Sequence, residues 1–242
     1  KLPFLGKDVE VVKGKNQLAW THRKTTDADI YFVSNQSGGG LRTEFNLRVR
    51  NKEIEALDPV TGDYFTGFYY DTSANGIHIK TWMSPGQSLF FICKKKASLR
   101  SEVTASFRQP YETDISNDWT LQFDPAYGGP KIPVNFQKLK SWTTDTDSMV
   151  RYYSGMAMYM KKIDFKPAES FSQAWLVIDS IFNIASVKVN GIECGTIWTV
   201  PCQIDISKAL KEGSNSIMIA VTNTWHNRLI LDETLPPSKR VT

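Results

Sequence analysis

Polar and apolar residues alternate with a period of two along several stretches of the chain. In the stretch 41–50, Leu, Thr, Phe, Leu and Val occupy the odd positions, whereas Arg, Glu and Asn occupy the even ones. The stretches 77–82 and 217–222 alternate in the same way, and Asn75-Gly76, a dipeptide typical of tight hairpins, precedes the first of them. Because successive side chains of a strand point to opposite faces, each stretch predicts a strand with one buried face.

Other strands are predicted from β-branched and aromatic composition. The segments 29–35, 119–124 and 204–206 are typical of strands, 88–93 (SLFFIC) of a strand buried on both faces, and 174–179 (AWLVID) of a core strand. Asn190-Gly191 predicts a type I′ hairpin turn, because both central residues of that turn need a positive φ. A short helix of one or two turns is expected over 207–213, with Ser207 as its N-cap and Gly213 as its end.

Strand signals also suggest how the chain divides. They are dense over 18–93, weaken over 94–117 and resume at Trp119. The 242 residues are enough for one large or two ordinary domains. We therefore place a boundary between residues 108 and 118 and expect an all-β protein of two β-sandwich domains, 1–110 and 111–242.

Composition narrows the class of protein. Hydrophobic residues make up 41% and charged residues 22% of the chain, as in soluble globular proteins. The net charge of +4 is spread along the chain, and its one dense basic run covers only residues 94–96, so we expect no nucleic-acid partner. No apolar stretch reaches the length of a membrane span. Because the chain begins with Lys1 and not Met, we expect a processed product or a fragment.

Cysteine and histidine do not form a recognisable metal site in the sequence. Cys194 and Cys202 could meet across a hairpin, but we prefer free buried thiols for them and for Cys93. The three histidines lack the spacing of transition-metal ligands. We expect no cofactor, while a structural calcium held by carbonyls and carboxylates remains open.

Three segments of the second half carry a family likeness. They are YSGMAMY at 153–159, VKVNGIECGTIWTVP at 187–201 and VTNTWHNRLI at 221–230. With Asp205-Ile206 and Gly213-x-Asn215, they resemble the jelly-roll sugar-binding domain of glycoside hydrolase family 2 and its relatives. The resemblance implies a galactose-binding-like jelly roll over 111–242. Leu231 stands where that family often has Gly, so we expect the turn there to differ.

The first half resembles a narrower family. HRKTTDADIYFVSN at 22–35, with 57–64 and 88–92, is similar to the segment that follows the catalytic barrel in family 106, the α-L-rhamnosidases. In that family the catalytic carboxylates and a calcium site lie upstream of this segment. The resemblance therefore implies no catalytic residue here, and we expect the chain alone to be non-catalytic.

The two resemblances together imply a function. We expect the accessory, C-terminal region of a bacterial glycoside hydrolase, possessing a rhamnosidase-like barrel elsewhere and acting on polysaccharide in the periplasm or outside the cell. Its expected partners are oligo- or polysaccharide and the catalytic barrel of the parent enzyme. One alternative is a stand-alone, lectin-like carbohydrate-binding protein without catalysis. Another is a purely structural pair of domains.

Three tryptophans are candidates for stacking against a sugar: Trp142, Trp198 and Trp225. A flat indole can cover the apolar face of a pyranose, while neighbours such as Asn227 and Arg228 bond its hydroxyls. Trp198 and Trp225 fall within motifs that define the fold, so for them we prefer a place in the core. Trp142 lies in a polar stretch, and both interpretations stay open for it.

Arg23 is the candidate in the first half. It could bind a substrate hydroxyl or organise a carboxylate. The alternative, which we prefer, is a structural ion pair with Asp27 or Asp29.

Overall fold

The computed structural model describes residues 7–73, 76–95, 112–167 and 173–240. The chain divides into two compact units, Lys1–Pro110 and Tyr111–Thr242. Neighbouring strands pair antiparallel in both units. The fold is all-β, with two β-sandwich domains. Among the described residues, no helix has the length and apolar character needed to cross a membrane.

The first unit consists of two four-stranded sheets. Its strands are β1 Val9–Lys13, β2 Leu18–Lys24, β3 Ala28–Asn35, β4 Leu41–Leu47, β5 Glu53–Leu57, β6 Phe68–Ser73, β7 Gly76–Met83 and β8 Ser88–Lys94. Sheet I has the order β1-β4-β7-β6, and sheet II has the order β2-β3-β8-β5. Strands β3, β4, β7 and β8 lie on segments where alternation or apolar composition predicts a strand, whereas β1, β2, β5 and β6 were not predicted individually.

The inner faces of sheets I and II share one core. Phe45 of β4 and Phe68 of β6 both meet Phe91 of β8 edge to face, with ring centroids 5.5 Å apart in each pair. All three side chains are fully buried. Aromatic pairs in this geometry add about 0.5–1.5 kcal/mol beyond the area they bury, so the trio joins the two sheets.

The second unit is built on a six-stranded sheet. Its strands are β9 Asn117–Phe123, β10 Val134–Lys138, β11 Met156–Phe165, β12 Trp175–Val177, β13 Ile184–Val189, β14 Ile192–Ile197, β15 Gln203–Asp205 and β16 Gly213–Thr222. Sheet III has the order β10-β9-β11-β16-β13-β14, and sheet IV pairs β12 with β15. The described residues of this unit also form two α-helices, α1 Ser148–Arg151 and α2 His226–Thr234.

The hairpin between β13 and β14 forms as predicted. Asn190 has a φ of 53° and Gly191 a φ of 81°, the two positive values that a type I′ turn requires. The Asn190 side chain also donates to the carbonyl of Ala209 and to Oδ1 of Asn215, both at 2.8 Å. The turn is therefore fixed by its own backbone and by side-chain bonds to the rest of the unit. The other Asn-Gly turn, Asn75-Gly76, includes a residue outside the described part of the chain.

One strand prediction was wrong and two other predictions hold in part. The segment 88–93 is not buried on both faces: Leu89 and Phe91 are fully buried, but Phe90 between them is half-buried, because only one face of sheet II packs against sheet I. The segment 174–179 contributes one face to the core, since Leu176 is buried, but Trp175 and Val177 are exposed on the outer face of sheet IV. The segment 207–213 contains a single turn, in which the N–H groups of Ala209 and Leu210 donate to the carbonyl of Ile206.

Candidate functional site

Two of the sequence motifs meet at one end of sheet III. Asn223 follows β16, and its side chain accepts from the backbone N–H of Gly155 at 2.8 Å and donates to the carbonyl of Tyr153 at 2.9 Å. The backbone N–H of Arg228 donates to Oγ of buried Ser154 at 3.0 Å. The Tyr-Ser-Gly segment before β11 is thus bonded directly to the Asn-Thr-Trp segment after β16, although about 70 residues separate them.

A glycine allows the first of these segments to turn. Gly155 has a φ of +146°, and a Cβ added there would lie 2.9 Å from the hydroxyl oxygen of Tyr153. That hydroxyl donates to the carbonyl of Met156 at 2.8 Å and accepts from the N–H of Asp124 at 3.1 Å. Tyr153 therefore ties the loop after β9 to the start of β11, and the backbone of Gly155 makes room for it.

Helix α2 is held by an internal ion pair. Nε of Arg228 lies 3.0 Å from Oδ1 of Asp232 one turn later, and the two side chains are only 17% and 4% exposed. The geometry is that of an ion pair without a well-aligned hydrogen bond between the two atoms. Nη1 of Arg228 also lies against the turn at Gly128, where a Cβ would come within 3.4 Å of it. The guanidinium thus stabilises the packing of α2 on this end of the sheet.

Two tryptophans extend into solvent at the same end. The register pairs Thr222 of β16 with Ile184 of β13, and the next residue, Ala185, with Ile197 of β14. Trp198 follows β14 directly and Trp225 follows β16 by three residues, so both lie beyond the strand ends at the same end of the sheet. Their strands are two apart, which separates the strand ends by about 10 Å. Trp198 is 61% exposed and Trp225 50% exposed.

A tyrosine joins them at this end. Phe123, the last residue of β9, pairs with Ala157 of β11, so the turn 124–129 after β9 also lies beyond the strand ends at this end of the sheet. That turn carries Tyr127, which is 55% exposed. We call Tyr127, Trp198 and Trp225 the aromatic rim.

An apolar row lies on the outer face of the sheet beside the rim. Met156, Thr222 and Ile184 are directly paired across three neighbouring strands and so point to one face, while Ala157 and Ala185 point into the core. Met156 is 51% and Ile184 40% exposed. Flat aromatic faces next to an apolar strip can contact the C–H faces of sugar rings, and surrounding polar groups can bond the hydroxyls.

The preference for a core position was wrong for Trp198 and Trp225. Both residues are at least half exposed, because each lies past the end of its strand. The motif around Trp225 fixes its backbone through Asn223 and Ser154, not through burial of the indole.

Trp142, in contrast to Trp198 and Trp225, is buried. It is 7% exposed and packs edge to face against Phe123 and Tyr153, with ring centroids 5.3 and 5.7 Å away. Its indole N–H donates to the hydroxyl of Tyr159 at 2.7 Å. A ring buried to this extent cannot stack on a sugar, so the structure removes Trp142 from the binding candidates. Its polar sequence neighbours are exposed residues of a loop, whereas the ring points inward.

The other candidates of the second unit are engaged within the fold. Asn227 donates from Nδ2 to the carbonyl of Tyr153 at 3.3 Å, and Arg228 pairs with Asp232 as described. Both are half-buried. The structure therefore brings Trp225, Asn227 and Arg228 onto one segment but presents mainly the indole to solvent.

Arg23 in the first unit does not have the expected partner. Among the described residues, the carboxylate of Asp29 lies 2.7 Å from Nζ of Lys52 and 3.0 Å from Nε2 of His22, and Asp27 accepts from Thr25. Arg23 is exposed on β2, since the strand alternation directs its neighbour His22 toward Asp29 instead. The structural role that we assigned to Arg23 belongs to His22 and Lys52.

Among the described residues, the cysteine thiols and the possible metal ligands form no further functional site. Cys93 is buried, Cys194 and Cys202 are half-buried, and all three are free thiols. Burial raises the pKa of Cys93 to about 12, which keeps its sulfur protonated. In the described part of the chain, no three His, Cys, Asp or Glu side chains come together as a metal site would need.

Comparison with known proteins assigns the second unit. Residues 118–241, just over half of the chain, match the family model described as glycosyl hydrolase 2 galactose-binding domain-like. This chain belongs to that galactose-binding domain-like family. Residues 4–70 match a second model, that of the family 106 alpha-L-rhamnosidases. Both matches agree with the resemblances seen in the motifs.

Solved and curated relatives are much longer proteins. The galactose-binding-like chain is similar in structure to the rhamnosidase from Novosphingobium sp. PP1Y, with a TM-score of 0.82 and 26% identity over 97% of this chain and 22% of that one. It is 31% identical over 157 residues to a candidate beta-glucuronidase of Formosa agariphila, a match that covers 64% of this chain and 13% of that protein. The chain thus spans less than a quarter of the length of either relative.

Proposed function

We propose that this chain is an accessory region of a glycoside hydrolase related to the rhamnosidases, and that its second unit holds carbohydrate at the aromatic rim. The observation that carries the proposal is the exposure of Trp198 and Trp225 at one end of a galactose-binding-like sheet. Water-exposed indoles are costly to hydrate, and a sugar that covers them recovers part of that free energy.

The relatives support a glycoside hydrolase as the parent. Both family models that match the chain describe glycoside hydrolase regions, and the similar solved structure is that of a rhamnosidase. In the proposed arrangement the two units stand beside a catalytic barrel, and the rim keeps polysaccharide near it. Tethering a substrate in this way raises its effective concentration at the catalytic site without new chemistry. We place the protein in the periplasm or outside the cell, where polysaccharides occur.

Affinity electrophoresis tests the proposal on the intact chain. Native gels containing a rhamnose- or galactose-rich polysaccharide retard the migration of a protein that binds it. We expect retardation of the chain and a loss of about tenfold in affinity for Trp198→Ala and for Trp225→Ala, the effect of removing one central aromatic contact. Trp175→Ala is the matched control, because that indole is 47% exposed but belongs to sheet IV.

Two results would refute the rim as the site. One is migration that no polysaccharide in the series retards, with the chain folded by circular dichroism. The other is retardation that Trp175→Ala weakens and the two rim variants leave unchanged.

A further inference from the structure

The outer face of sheet I carries a second pair of exposed aromatic rings. Register places Arg42 opposite Trp82 and Glu44 opposite Lys80 between β4 and β7, and Tyr69 of β6 opposite Lys80 on the other side. Directly paired residues share a face, and the residues between them, such as Phe45 and Ile79, point into the core. We call the set Arg42, Glu44, Tyr69, Lys80 and Trp82 the Trp82 face.

The two rings are near neighbours on this face. Trp82 lies two residues beyond Lys80, the residue paired with Tyr69, so the two aromatics are diagonal neighbours with Cα atoms about 7–8 Å apart. Trp82 is 43% exposed and Tyr69 50% exposed. The outer face of an antiparallel sheet ordinarily carries polar residues. Two half-exposed aromatic rings side by side differ from that pattern and indicate a binding surface.

A glycine holds Trp82 in place. A Cβ added at Gly40 would lie 2.5 Å from Cζ2 and 3.0 Å from Cε2 of the indole. The ring therefore lies against the backbone at Gly40 on one side, where only glycine leaves room, while its other side is open to solvent. A ring fixed before the ligand arrives loses little conformational entropy on binding.

Fixed polar groups lie next to the rings. Nδ2 of Asn46 donates to Glu10 at 3.2 Å, and Oδ1 of Asn46 lies 2.7 Å from Nδ1 of His78. Nε2 of His78 is 3.8 Å from the carboxylate of Glu44. This chain of contacts crosses three strands and orients the carboxylate of Glu44, which faces the same side as the two aromatics.

We propose that the Trp82 face binds an oligosaccharide, with Trp82 and Tyr69 stacking on pyranose rings and Glu44, Lys80 and Arg42 bonding their hydroxyls. Sugar hydroxyls both donate and accept, so they match a face that places one carboxylate and two cations beside the rings. The neighbouring carboxylates of Glu10 and Asp71 balance those cations, which leaves no positive field for a polyanion such as a nucleic acid. The site lies on the first unit and does not depend on the aromatic rim of the second.

The test separates this site from the rim. In the full chain, Trp198→Ala with Trp225→Ala removes the rim and provides the background. Short oligosaccharides built from rhamnose, galactose or glucose are titrated into it by calorimetry. We expect saturable binding to persist in this background and to weaken at least tenfold with Trp82→Ala and with Tyr69→Ala.

Gly40→Ala tests the positioning of the ring without removing it. The added methyl group displaces the indole, so we expect weaker binding with the aromatic residue still present. Trp20→Ala is the matched control, because that indole is 38% exposed on the same unit but belongs to sheet II, and it should leave the affinity unchanged. Near-ultraviolet circular dichroism verifies that each variant is folded.

The outcomes distinguish the two sites. Loss of all oligosaccharide binding in the rim background overturns the proposal for the Trp82 face and leaves the rim as the only site of the pair. Binding in that background that is insensitive to Trp82→Ala, Tyr69→Ala and Gly40→Ala also overturns it. Binding in that background that is lost with Trp82→Ala supports the Trp82 face, whereas loss of all binding with Trp82→Ala alone, the rim being intact, supports that face and counts against the rim.

Discussion

The indole of Trp142 is buried against two aromatic rings and bonded to the half-buried phenol of Tyr159. It meets Phe123 and Tyr153 edge to face and donates to Tyr159 at 2.7 Å. Burial raises the pKa of Tyr159 to about 12, and the bond from Trp142 offsets only part of that rise. Removing this indole would leave a large cavity and the Tyr159 hydroxyl without its donor.

We therefore expect Trp142→Ala to lower the free energy of unfolding of the second unit by about 3–5 kcal/mol. Chemical denaturation followed by tryptophan fluorescence measures the change. Trp198→Ala is the control, because its indole is 61% exposed and should cost less than about 1 kcal/mol. Equal losses in the two variants would contradict the assignment of one ring to the core and the other to the surface.

We expect the carboxylate of Asp29 to make the stability of the first unit depend on pH. Burial raises its pKa, but the hydrogen bonds from Lys52 and His22 outweigh burial and hold the pKa below its usual value of 3.8. A carboxylate with a lowered pKa stabilises the fold above its unfolded pKa, and that contribution is lost as the pH falls through the folded value. The stabilisation that Asp29 provides is therefore lost as the pH falls below about 4.

We expect Asp29→Asn to cost the first unit about 1.5–3 kcal/mol at neutral pH, since it removes charge-assisted hydrogen bonds. The variant should also show a weaker decline of stability between about pH 5 and pH 2 than the parent chain. Urea denaturation across this pH range measures both effects, with Asp63→Asn as the exposed control. A variant whose pH profile parallels that of the parent would rule out this role for Asp29.

For single residues, the sequence predicts which side chains belong to a motif better than it predicts whether those side chains are buried. The motifs name Trp225, Asn227 and Arg228 together, and the structure does place them on one segment. Whether an indole is buried depends on where its strand ends and on what packs over it, which local sequence does not encode. For this reason Trp198 is exposed although its motif suggested the core, and Trp142, for which the sequence left both interpretations open, is buried.

Among the elements, the β13–β14 hairpin shows how one turn sets a register. Gly191 has a φ of +81°, and a Cβ there would meet no atom within 4 Å. We expect Gly191→Ala to destabilise the second unit by about 1–2 kcal/mol through backbone strain alone, since the space is open. Thermal unfolding compares it with Gly38→Ala, a glycine with equal space and no positive φ. A neutral Gly191→Ala would show that the turn does not need its left-handed conformation.

Helix α2 was not predicted from sequence, and its ends explain why. The N-cap residue, Trp225, makes no side-chain capping bond, and the helix has no acidic residue in its first turn and no basic residue in its last. Local signals for a helix are therefore weak. Contacts from distant residues stabilise it instead, chiefly the bond from Arg228 to Ser154 and the buried Asp232. The strands were predicted more successfully because alternation reports a local property, one face in and one face out.

For the molecule as a whole, the buried acids of the described residues are all engaged in ion pairs. Each of the four buried carboxylates among the described residues lies within 3.0 Å of a cation: Asp29 with Lys52, Glu55 with Lys94, Asp145 with Lys140 and Asp232 with Arg228. Burial raises the pKa of Asp145, but hydrogen bonding to Lys140 outweighs it, and the pKa is lowered. A glycosidase general acid needs the opposite, a pKa raised toward neutrality.

We accordingly expect the chain to release no p-nitrophenol from p-nitrophenyl α-L-rhamnopyranoside or p-nitrophenyl β-D-glucuronide above the uncatalysed rate. Absorbance over several hours at high protein concentration measures this. Release that rises in proportion to protein and persists after a second purification would refute the non-catalytic interpretation.

A calorimetric titration of the full chain and its Trp198→Ala/Trp225→Ala double variant with rhamnose- and galactose-containing oligosaccharides decides whether the aromatic rim holds carbohydrate. We expect saturable heats for the chain, and in the folded double variant we expect the affinity of the rim component to fall by a factor of about ten or more. Identical isotherms for the two proteins, or no heat from either while both remain folded, would contradict a carbohydrate-holding role for the aromatic rim.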